Sequence, residues 1–249
     1  MDFDFSNDQE QLRDAVRKWV DKGYTFERHN SIVREGGFSR AAWTELAELG
    51  LCGLYISEDH GGMGMGPTEG MLAMEELGRG IVMEPLAHAL IAGGVFSGYA
   101  PADVQAEWLP KVASGEALIV LAHQERKARY QLDKCEAKAT PAQAGWTLTA
   151  TKSIVPAGDQ ADAYLVPAMV DGTLAMFLVE RNASGVSAQG YGTQAGSRAA
   201  EVVFDNAAAT LVTRDGLTAL EHAVDIGIAA LCAEAVGVMD KTVAITVEY

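Results

Sequence analysis

The chain has little positive charge, and this shortage excludes two classes of partner. It carries 19 lysine and arginine residues against 34 aspartate and glutamate residues, which gives a formal net charge of -15. A general nucleic-acid binder needs basic surface to displace counterions from phosphates, and docking to an anionic membrane needs basic surface as well. The composition therefore predicts neither nucleic acid nor a membrane as a partner.

The sequence also has few cysteines, an acidic rather than basic N-terminus, and only a short apolar stretch. The three cysteines lie far apart and fall in no CxxC or Cys/His pattern, so the sequence predicts neither a zinc site nor a disulfide framework. The acidic N-terminus lacks the basic region of a signal peptide. The most apolar stretch, residues 225–239, contains two acidic residues and is shorter than the roughly 20 residues of a membrane span. We expect a cytoplasmic protein without a metal.

The first 116 residues have the periodicity of helices. Ser6 and Gln9 have the spacing of a capping box, and apolar residues then recur at helical intervals. Ser39 is predicted to begin another helix. A glycine-rich loop at residues 59–67 follows, and Thr68 is predicted to cap the helix after it. We expect an all-helical domain over residues 1–116.

The periodicity shortens to two in the middle of the chain. Residues 146–150 alternate as a strand does, and residues 163–170 and 174–179 form a predicted hairpin about an Asp-Gly turn. Residues 201–204 and 210–212 are predicted as further, separate strands. We expect residues 117–213 to form an antiparallel β-sandwich or barrel.

A long helix is predicted from Leu217 to the end of the sequence. It would be about 50 Å long at 1.5 Å per residue. Gly227 and Gly237 suggest close approach of neighbouring helices, and apolar residues on several sides of the helix call for packing partners. The predicted fold is therefore α+β and multi-domain, with residues 214–249 as the first helix of an incomplete C-terminal bundle.

Four motifs, in order, give the chain a family resemblance. They are residues 5–17 (FSNDQEQLRDAVR), residues 43–64 (WTELAELGLCGL, then EDHGGMG), residues 75–79 (EELGR) and residues 109–116 (LPKVASGE). Together they resemble the acyl-CoA dehydrogenase family, which has the same order of a helical domain, a β-domain and a long helix. A closer resemblance, to the small subunits of pimeloyl-CoA-dehydrogenase-type enzymes, lies in residues 125–130, 152–162 and 227–237.

This resemblance implies a chemistry and a set of partners. The family removes a proton and a hydride from neighbouring carbons of an acyl-CoA thioester, and FAD accepts the hydride. The implied partners are the acyl-CoA substrate, an electron-transferring flavoprotein, and either further copies of the chain or a larger homologous subunit. The family's catalytic base comes from a later part of the long helix or from the C-terminal domain, so we expect it beyond Tyr249.

Two stretches correspond to the family's flavin contacts. The resemblance assigns cofactor binding to Leu121, His123, Gln124, Arg129, Tyr130, Ile154, Val155 and Pro156. It assigns substrate binding to Arg126 and Tyr130, and the alternative for the basic residues at 126–129 is a solvated loop. The first stretch keeps only Glu125 of the family's Thr-Glu-Pro motif. In the second stretch, Ile154-Val155-Pro156 stands where the family has Trp-Ile-Thr. The aromatic ring is therefore lost, and Pro156 has no backbone N–H to donate.

Other residues are predicted to have structural roles. His60 is expected to be structural because no neighbouring residue completes a catalytic dyad. His123 is expected to line the site or to lie in the core. Met63, Met65, Met71 and Met74 either line an acyl pocket or, as we expect, pack in the core.

Three functions are compatible with these observations. The first is FAD-dependent α,β-desaturation of an uncommon acyl-CoA, such as a carboxyl-terminated or steroid-side-chain thioester. The second is a non-catalytic subunit that scaffolds a flavin-binding homologue, favoured by the lost flavin-contact side chains. The third is another flavin-linked oxidoreductase, because one fold supports several chemistries.

Overall fold

The computed structural model describes residues 4–248, which form a helical layer, a β-barrel and a long closing helix. The helices of the first layer are α1 (Asn7–Gly23), α2 (Phe26–Arg34), α3 (Arg40–Glu48), α4 (Pro67–Arg79), α5 (Leu86–Tyr99) and α6 (Ala102–Ala113). The strands are β1 (Ile119–Leu121), β2 (Lys138–Pro141), β3 (Trp146–Pro156), β4 (Ala163–Val170), β5 (Thr173–Glu180), β6 (Val186–Gly192) and β7 (Arg198–Thr213). Helix α7 spans Gly216–Glu248. The predicted fold class is confirmed, while the division into three domains stays a prediction.

Local capping decides where the first helices begin. Ser6 caps α1, and its hydroxyl accepts from the Gln9 N–H while the Gln9 side chain accepts from the Ser6 N–H, as predicted. The start of α4 differs from the prediction. Pro67 occupies its first turn, where no N–H is needed, and the Glu69 carboxylate accepts the N–H of Gly66 at 2.9 Å. Thr68 therefore lies inside the helix. Helix α2 was not predicted, because it is short and has few apolar residues, of which only Ile32 is buried.

Five strands close into a barrel in the order β4-β2-β3-β7-β5, and β5 pairs back to β4. The barrel is not purely antiparallel, because β1 and β2 both pair with β4 in parallel. The Asp171-Gly172 hairpin is confirmed, and both residues have positive φ, at 50° and 83°. The two predicted strands at 201–204 and 210–212 are one strand, β7. The polar pair Asp205-Asn206 between them forms a bulge within the strand rather than a loop.

Helix α7 packs along α4 and α5, and one of the two glycines singled out from the sequence, Gly237, shows how closely the helices approach. A Cβ on Gly237 would collide with the Glu75 carbonyl of α4, so the predicted close approach is confirmed there. The prediction is wrong for Gly227, where a Cβ would lie 3.5 Å from Ile91, at ordinary contact distance. Helix α7 also exposes several large apolar side chains, of which the first two line the cavity described below: Ile228, Leu231, Val236, Met239, Val243, Ile245 and Val247.

The length of α7 corrects one expectation from the sequence. Among the described residues, this helix of 33 residues is long and apolar enough to cross a membrane, by length and composition alone. The expectation that its apolar stretch is too short for a span is therefore wrong. A core helix of a soluble protein passes the same test, so the finding is weak evidence for a span.

Candidate functional site

A cavity of about 490 Å³ lies between the barrel and helices α5 and α7. The segment before α5 and the first turns of α5 form one wall, and the stretch after β1 and the end of β3 form the second. The third wall is the face of α7 between Ala223 and Glu234. Apolar side chains from these elements supply most of the lining, and a small set of polar groups lies among them.

The cavity brings together six of the residues predicted to bind the cofactor. They are Leu121, His123, Gln124, Ile154, Val155 and Pro156. The two stretches lie 30 residues apart in the chain, and the Ser153 N–H joins them by donating to the Gln124 carbonyl at 2.9 Å. The predicted flavin-contact stretches thus form one surface, although whether each residue binds the cofactor stays a prediction.

A buried ion pair fixes these two stretches against each other. The Lys152 side chain is fully buried, and its Nζ donates to Glu125 Oε1 at 2.7 Å and to the Pro167 carbonyl at 3.0 Å. The backbone N–H groups of Glu136 and Ala137 also donate to the Glu125 carboxylate. Burial by itself raises the pKa of Glu125, but the charge and hydrogen bond of Lys152 outweigh it and hold the pKa below its usual value. Glu125, which the chain shares with the family motif, therefore has a structural role here.

The end of β3 is strained beside the cavity. Ile154 has φ of 52°, a conformation that a β-branched residue rarely adopts, and its side chain is 57% exposed. Glu201 of β7 holds this turn, because its carboxylate accepts the Ile154 N–H at 3.3 Å and the Ser153 hydroxyl at 3.0 Å. The Ile154 N–H is therefore occupied, and Pro156 has none. This side of the cavity offers apolar contact without backbone donors at those two positions.

The neighbouring stretch of the same wall, after β1, offers free donors. Within residues 4–248, the backbone N–H groups of His123 and Gln124 have no hydrogen-bond partner. Their carbonyls are used, since Gln124 accepts from Ser153 and His123 accepts weakly from Lys152 Nζ at 3.5 Å. Two N–H groups on one turn are therefore available to bind the polar edge of a ligand.

Two histidines in the cavity are held in their neutral form. Desolvation by burial, and to a smaller extent the nearby His123, lower the pKa of His88 to about 4. Desolvation also lowers the pKa of His123 to about 4, with a smaller effect from the charge of Lys152. Both side chains are uncharged at neutral pH. His88 was missed by sequence analysis, because a single histidine in the apolar run of α5 gives no signal.

The acidic side chains of the cavity are also shifted toward their neutral form. Burial raises the pKa of Glu84, which lies between α4 and α5 and accepts the Ser39 N–H at 3.1 Å. Burial raises the pKa of Glu234 on α7 as well, and its carboxyl group has no partner among the described residues. The cavity thus favours uncharged groups, which suits an apolar ligand with a few hydrogen-bonding atoms.

The basic loop lies outside the cavity. Arg126, Arg129 and Tyr130 follow the cavity stretch on an exposed turn and do not line it. Tyr130 is 93% exposed, and Arg126 forms a 3.4 Å ion pair with Glu201. Their binding roles stay predictions, now for a part of a ligand that extends beyond the cavity.

The remaining residues singled out from the sequence divide between surface, core and cavity. Of the four methionines, Met74 is buried and lines the cavity, whereas Met71 lies at the surface and Met63 packs against Gly50. His60 ends a short turn within the glycine-rich loop. The part of the chain that the structure describes holds no group of three His, Cys, Asp or Glu side chains suited to a metal ion.

Residues 6–116 match the family model of the acyl-CoA dehydrogenase N-terminal domain. The acyl-CoA dehydrogenase FadE12 of Mycobacterium tuberculosis (strain ATCC 25618 / H37Rv) is 29% identical over 191 residues, which are 73% of this chain and 49% of FadE12. The chain is thus similar to acyl-CoA dehydrogenases, and its residues 6–116 carry the N-terminal domain of that family. It spans about half the length of FadE12.

Solved structures of acyl-CoA dehydrogenases extend this similarity to nearly the whole chain. The Tcur3481-Tcur3483 steroid ACAD G363A variant has a TM-score of 0.87 and 27% identity, over 97% of this chain and 66% of that one. The ChsE4-ChsE5 complex from Mycobacterium tuberculosis has a TM-score of 0.86 and 25% identity, over 100% of this chain and 68% of that one. The order of the helical layer, barrel and long helix is therefore that of the acyl-CoA dehydrogenase fold.

The lining of the cavity can be compared with the ring system of FAD, the cofactor that the family resemblance implies. The free N–H groups of His123 and Gln124 are donors of the kind that the oxygens and nitrogens along the polar edge of a flavin ring accept, and Val155 and Pro156 supply an apolar wall. The aromatic and threonine side chains of the family's second contact are absent. The residues present thus keep backbone donors for a flavin ring but lack the side-chain contacts of the second stretch.

Proposed function

We propose that the chain is a subunit of an FAD-dependent acyl-CoA dehydrogenase that forms a double bond between the α and β carbons of an acyl-CoA thioester. The observation that carries the proposal is the single cavity formed by residues 121–124 and 153–156 between the barrel and two helices. FAD, when bound, supplies the hydride acceptor. The acyl chain would lie along the apolar faces of α5 and α7.

The chain's own residues would bind and shield the reacting groups. The N–H groups of His123 and Gln124 would orient the flavin ring, and the Lys152–Glu125 pair would keep that turn in place. The apolar lining would exclude water and so strengthen each hydrogen bond inside the cavity. Arg126 and Arg129, on the exposed turn, would attract the phosphates of FAD or CoA in an otherwise acidic protein.

The catalytic base is proposed to follow Tyr249 or to come from a partner, in agreement with the family resemblance. Glu234 is the alternative within the described residues. Its half-buried carboxyl group lines the cavity without a partner, and a raised pKa is typical of carboxylates that abstract protons. A Glu234→Gln variant tests this alternative, because it removes the basic oxygen while it keeps the shape of the side chain.

The substrate, partners and location are also proposals. A carboxyl-terminated or steroid-side-chain acyl-CoA is proposed, because the closer sequence resemblance is to pimeloyl-CoA dehydrogenase small subunits and one similar structure is named a steroid ACAD. A larger homologous subunit is proposed as a partner, since the ChsE4-ChsE5 structure is a complex of two such proteins. Electrons would pass to an electron-transferring flavoprotein, in a cytoplasmic setting.

The second candidate function is that of a non-catalytic subunit. The second flavin-contact stretch, residues 154–156, favours it. Ile154 replaces the aromatic residue, its N–H donates to Glu201, and Pro156 has no N–H. A chain with these properties would keep the fold and would scaffold a homologue that binds the flavin. The two functions differ in whether this chain holds the flavin itself.

The test is to purify the chain with and without its genomic neighbour and to record visible spectra. The proposed function predicts flavin bands and acyl-CoA-dependent bleaching for the chain or its complex, both abolished by Val224→Trp, which fills the cavity. Glu221→Trp is the matched control, because Glu221 is exposed on the same helix and does not line the cavity. If bleaching persists in the Val224→Trp complex, the flavin and substrate belong to the partner, and the scaffold function replaces the first.

A further inference from the structure

Several polar side chains of the cavity are already engaged by other protein groups. The Ser153 hydroxyl donates to Glu201, the Arg198 guanidinium is paired with Asp159, and Glu84 accepts a backbone N–H. These groups maintain the walls. A group that recognises a ligand must instead have a free hydrogen-bonding atom, a fixed orientation and a place on the cavity surface.

His88 meets these three conditions. Its ring lines the cavity, and its Nδ1 accepts the backbone N–H of Leu121 at 3.2 Å. A nitrogen that accepts a hydrogen bond carries no proton, so the proton of a neutral imidazole must lie on Nε2. Within the part of the chain that the structure describes, the one hydrogen bond of the His88 ring is at Nδ1, and Nε2 faces no hydrogen-bond partner. The hydrogen bond from β1 therefore both orients the ring and fixes its tautomer.

The surroundings keep this tautomer uncharged. Burial, and to a smaller extent the neighbouring His123, lower the pKa of His88 to about 4. A neutral histidine with a fixed Nε2–H is a hydrogen-bond donor that does not itself take up a proton at neutral pH. Such a donor suits an uncharged acceptor, and the acceptor that both proposed ligands carry is a carbonyl oxygen.

We propose that the Nε2–H group of His88 is a ligand-binding donor that holds a carbonyl oxygen of the molecule in the cavity. The inference rests on the proposed function, because the carbonyl belongs either to the thioester of an acyl-CoA or to the flavin ring. If the carbonyl is that of the thioester, the His88 donor polarises it as the α proton leaves. At the flavin, it positions the ring. His88 is in both cases a binding residue that the sequence does not reveal.

The tautomer is tested first, because it needs neither ligand. The protein labelled with ¹⁵N-histidine should show two imidazoles, His88 and His123, that stay neutral between about pH 5.5 and 8, where an ordinary histidine titrates, and the His88 resonance should be that of the Nε2–H tautomer. His88→Gln should remove that resonance, and His60→Gln should leave it. An Nδ1–H or charged His88 in this range would overturn the inference.

Ligand binding is the second test, with hexanoyl-CoA, its carbonyl-free thioether hexyl-CoA, and FAD as probes. His88→Phe should weaken either hexanoyl-CoA or FAD about 3- to 10-fold, the effect of one lost neutral hydrogen bond, and should leave hexyl-CoA unchanged. His88→Gln, which keeps an N–H donor, should recover part of the loss.

The pattern of losses identifies the carbonyl. A loss confined to hexanoyl-CoA assigns the donor to the thioester, and a loss confined to FAD assigns it to the flavin. If His88→Phe changes neither affinity, or weakens hexyl-CoA equally, the inference is overturned while the proposed function stands. If the wild-type chain and its complex bind neither hexanoyl-CoA nor FAD, the proposed function fails, and the inference fails with it.

Discussion

Replacing Lys152 by methionine should be among the most damaging single substitutions in the barrel. The side chain is fully buried, and Nζ lies 2.7 Å from Glu125 Oε1 and 3.0 Å from the Pro167 carbonyl. Methionine would fill the same space but leave the Glu125 carboxylate, itself only 7% exposed, without a countercharge. Removing one partner of a buried ion pair costs about 3–5 kcal/mol. The N–H groups that still donate to Glu125 favour the lower end of this range.

The assay is equilibrium urea unfolding followed by far-ultraviolet circular dichroism. Lys127→Met is the matched control, because Lys127 forms a 3.0 Å pair with Glu136 in which its side chain is 79% exposed. An exposed pair contributes less than about 1 kcal/mol. The comparison requires similar m-values, so that the midpoints report stability. If Lys152→Met costs no more than Lys127→Met, the buried pair does not hold the cavity stretches as we argue.

The pH dependence of the same variant gives an independent check. The pKa of Glu125 is lower in the folded chain than its usual value of 4.5, because the interaction with Lys152 outweighs burial. The ionised pair therefore stabilises the fold above about pH 4.5, and this contribution is lost as pH falls through the lower folded pKa. The difference in stability between wild type and Lys152→Met should shrink as the solution is acidified. A difference that grows on acidification would contradict the assignment.

Three further predictions test the helical parts of the chain. Burial raises the pKa of the Cys52 thiol to about 12, whereas Cys232 is exposed. A thiol reagent at pH 8 should therefore modify Cys232 promptly and Cys52 only after unfolding, and peptide mapping measures both. Gly237→Ala should lower the free energy of unfolding by about 1–3 kcal/mol, because the added methyl group meets a backbone carbonyl of α4. Gly98→Ala is the control, and it should raise the free energy of unfolding slightly, because its methyl group meets nothing within 4 Å. Ser6→Ala should cost about 1 kcal/mol in urea unfolding, since the cap of α1 is lost.

The secondary structure followed from the sequence where its signals are local. The Ser6 cap, the strand at 163–170 and the Asp171-Gly172 turn depend on a few neighbouring residues, and the structure confirms all three. The errors arise where distant residues decide. A bulge at Asp205-Asn206 resembles a loop in the sequence, because its hydrogen-bonding partner, β3, lies about 55 residues earlier.

The sequence by itself determined the order of helices and strands, the acidic surface and the two stretches that meet in the cavity, since these depend on periodicity, composition and motif. Only the tertiary structure decided which side chains face that cavity. His88 lies 33 residues before Leu121, and Lys152 lies 27 residues after Glu125. Barrel closure and helix packing bring these partners within hydrogen-bonding distance, and burial then sets their charge. Burial is a property of the whole fold, which is why periodicity revealed the walls of the site but not its polar groups.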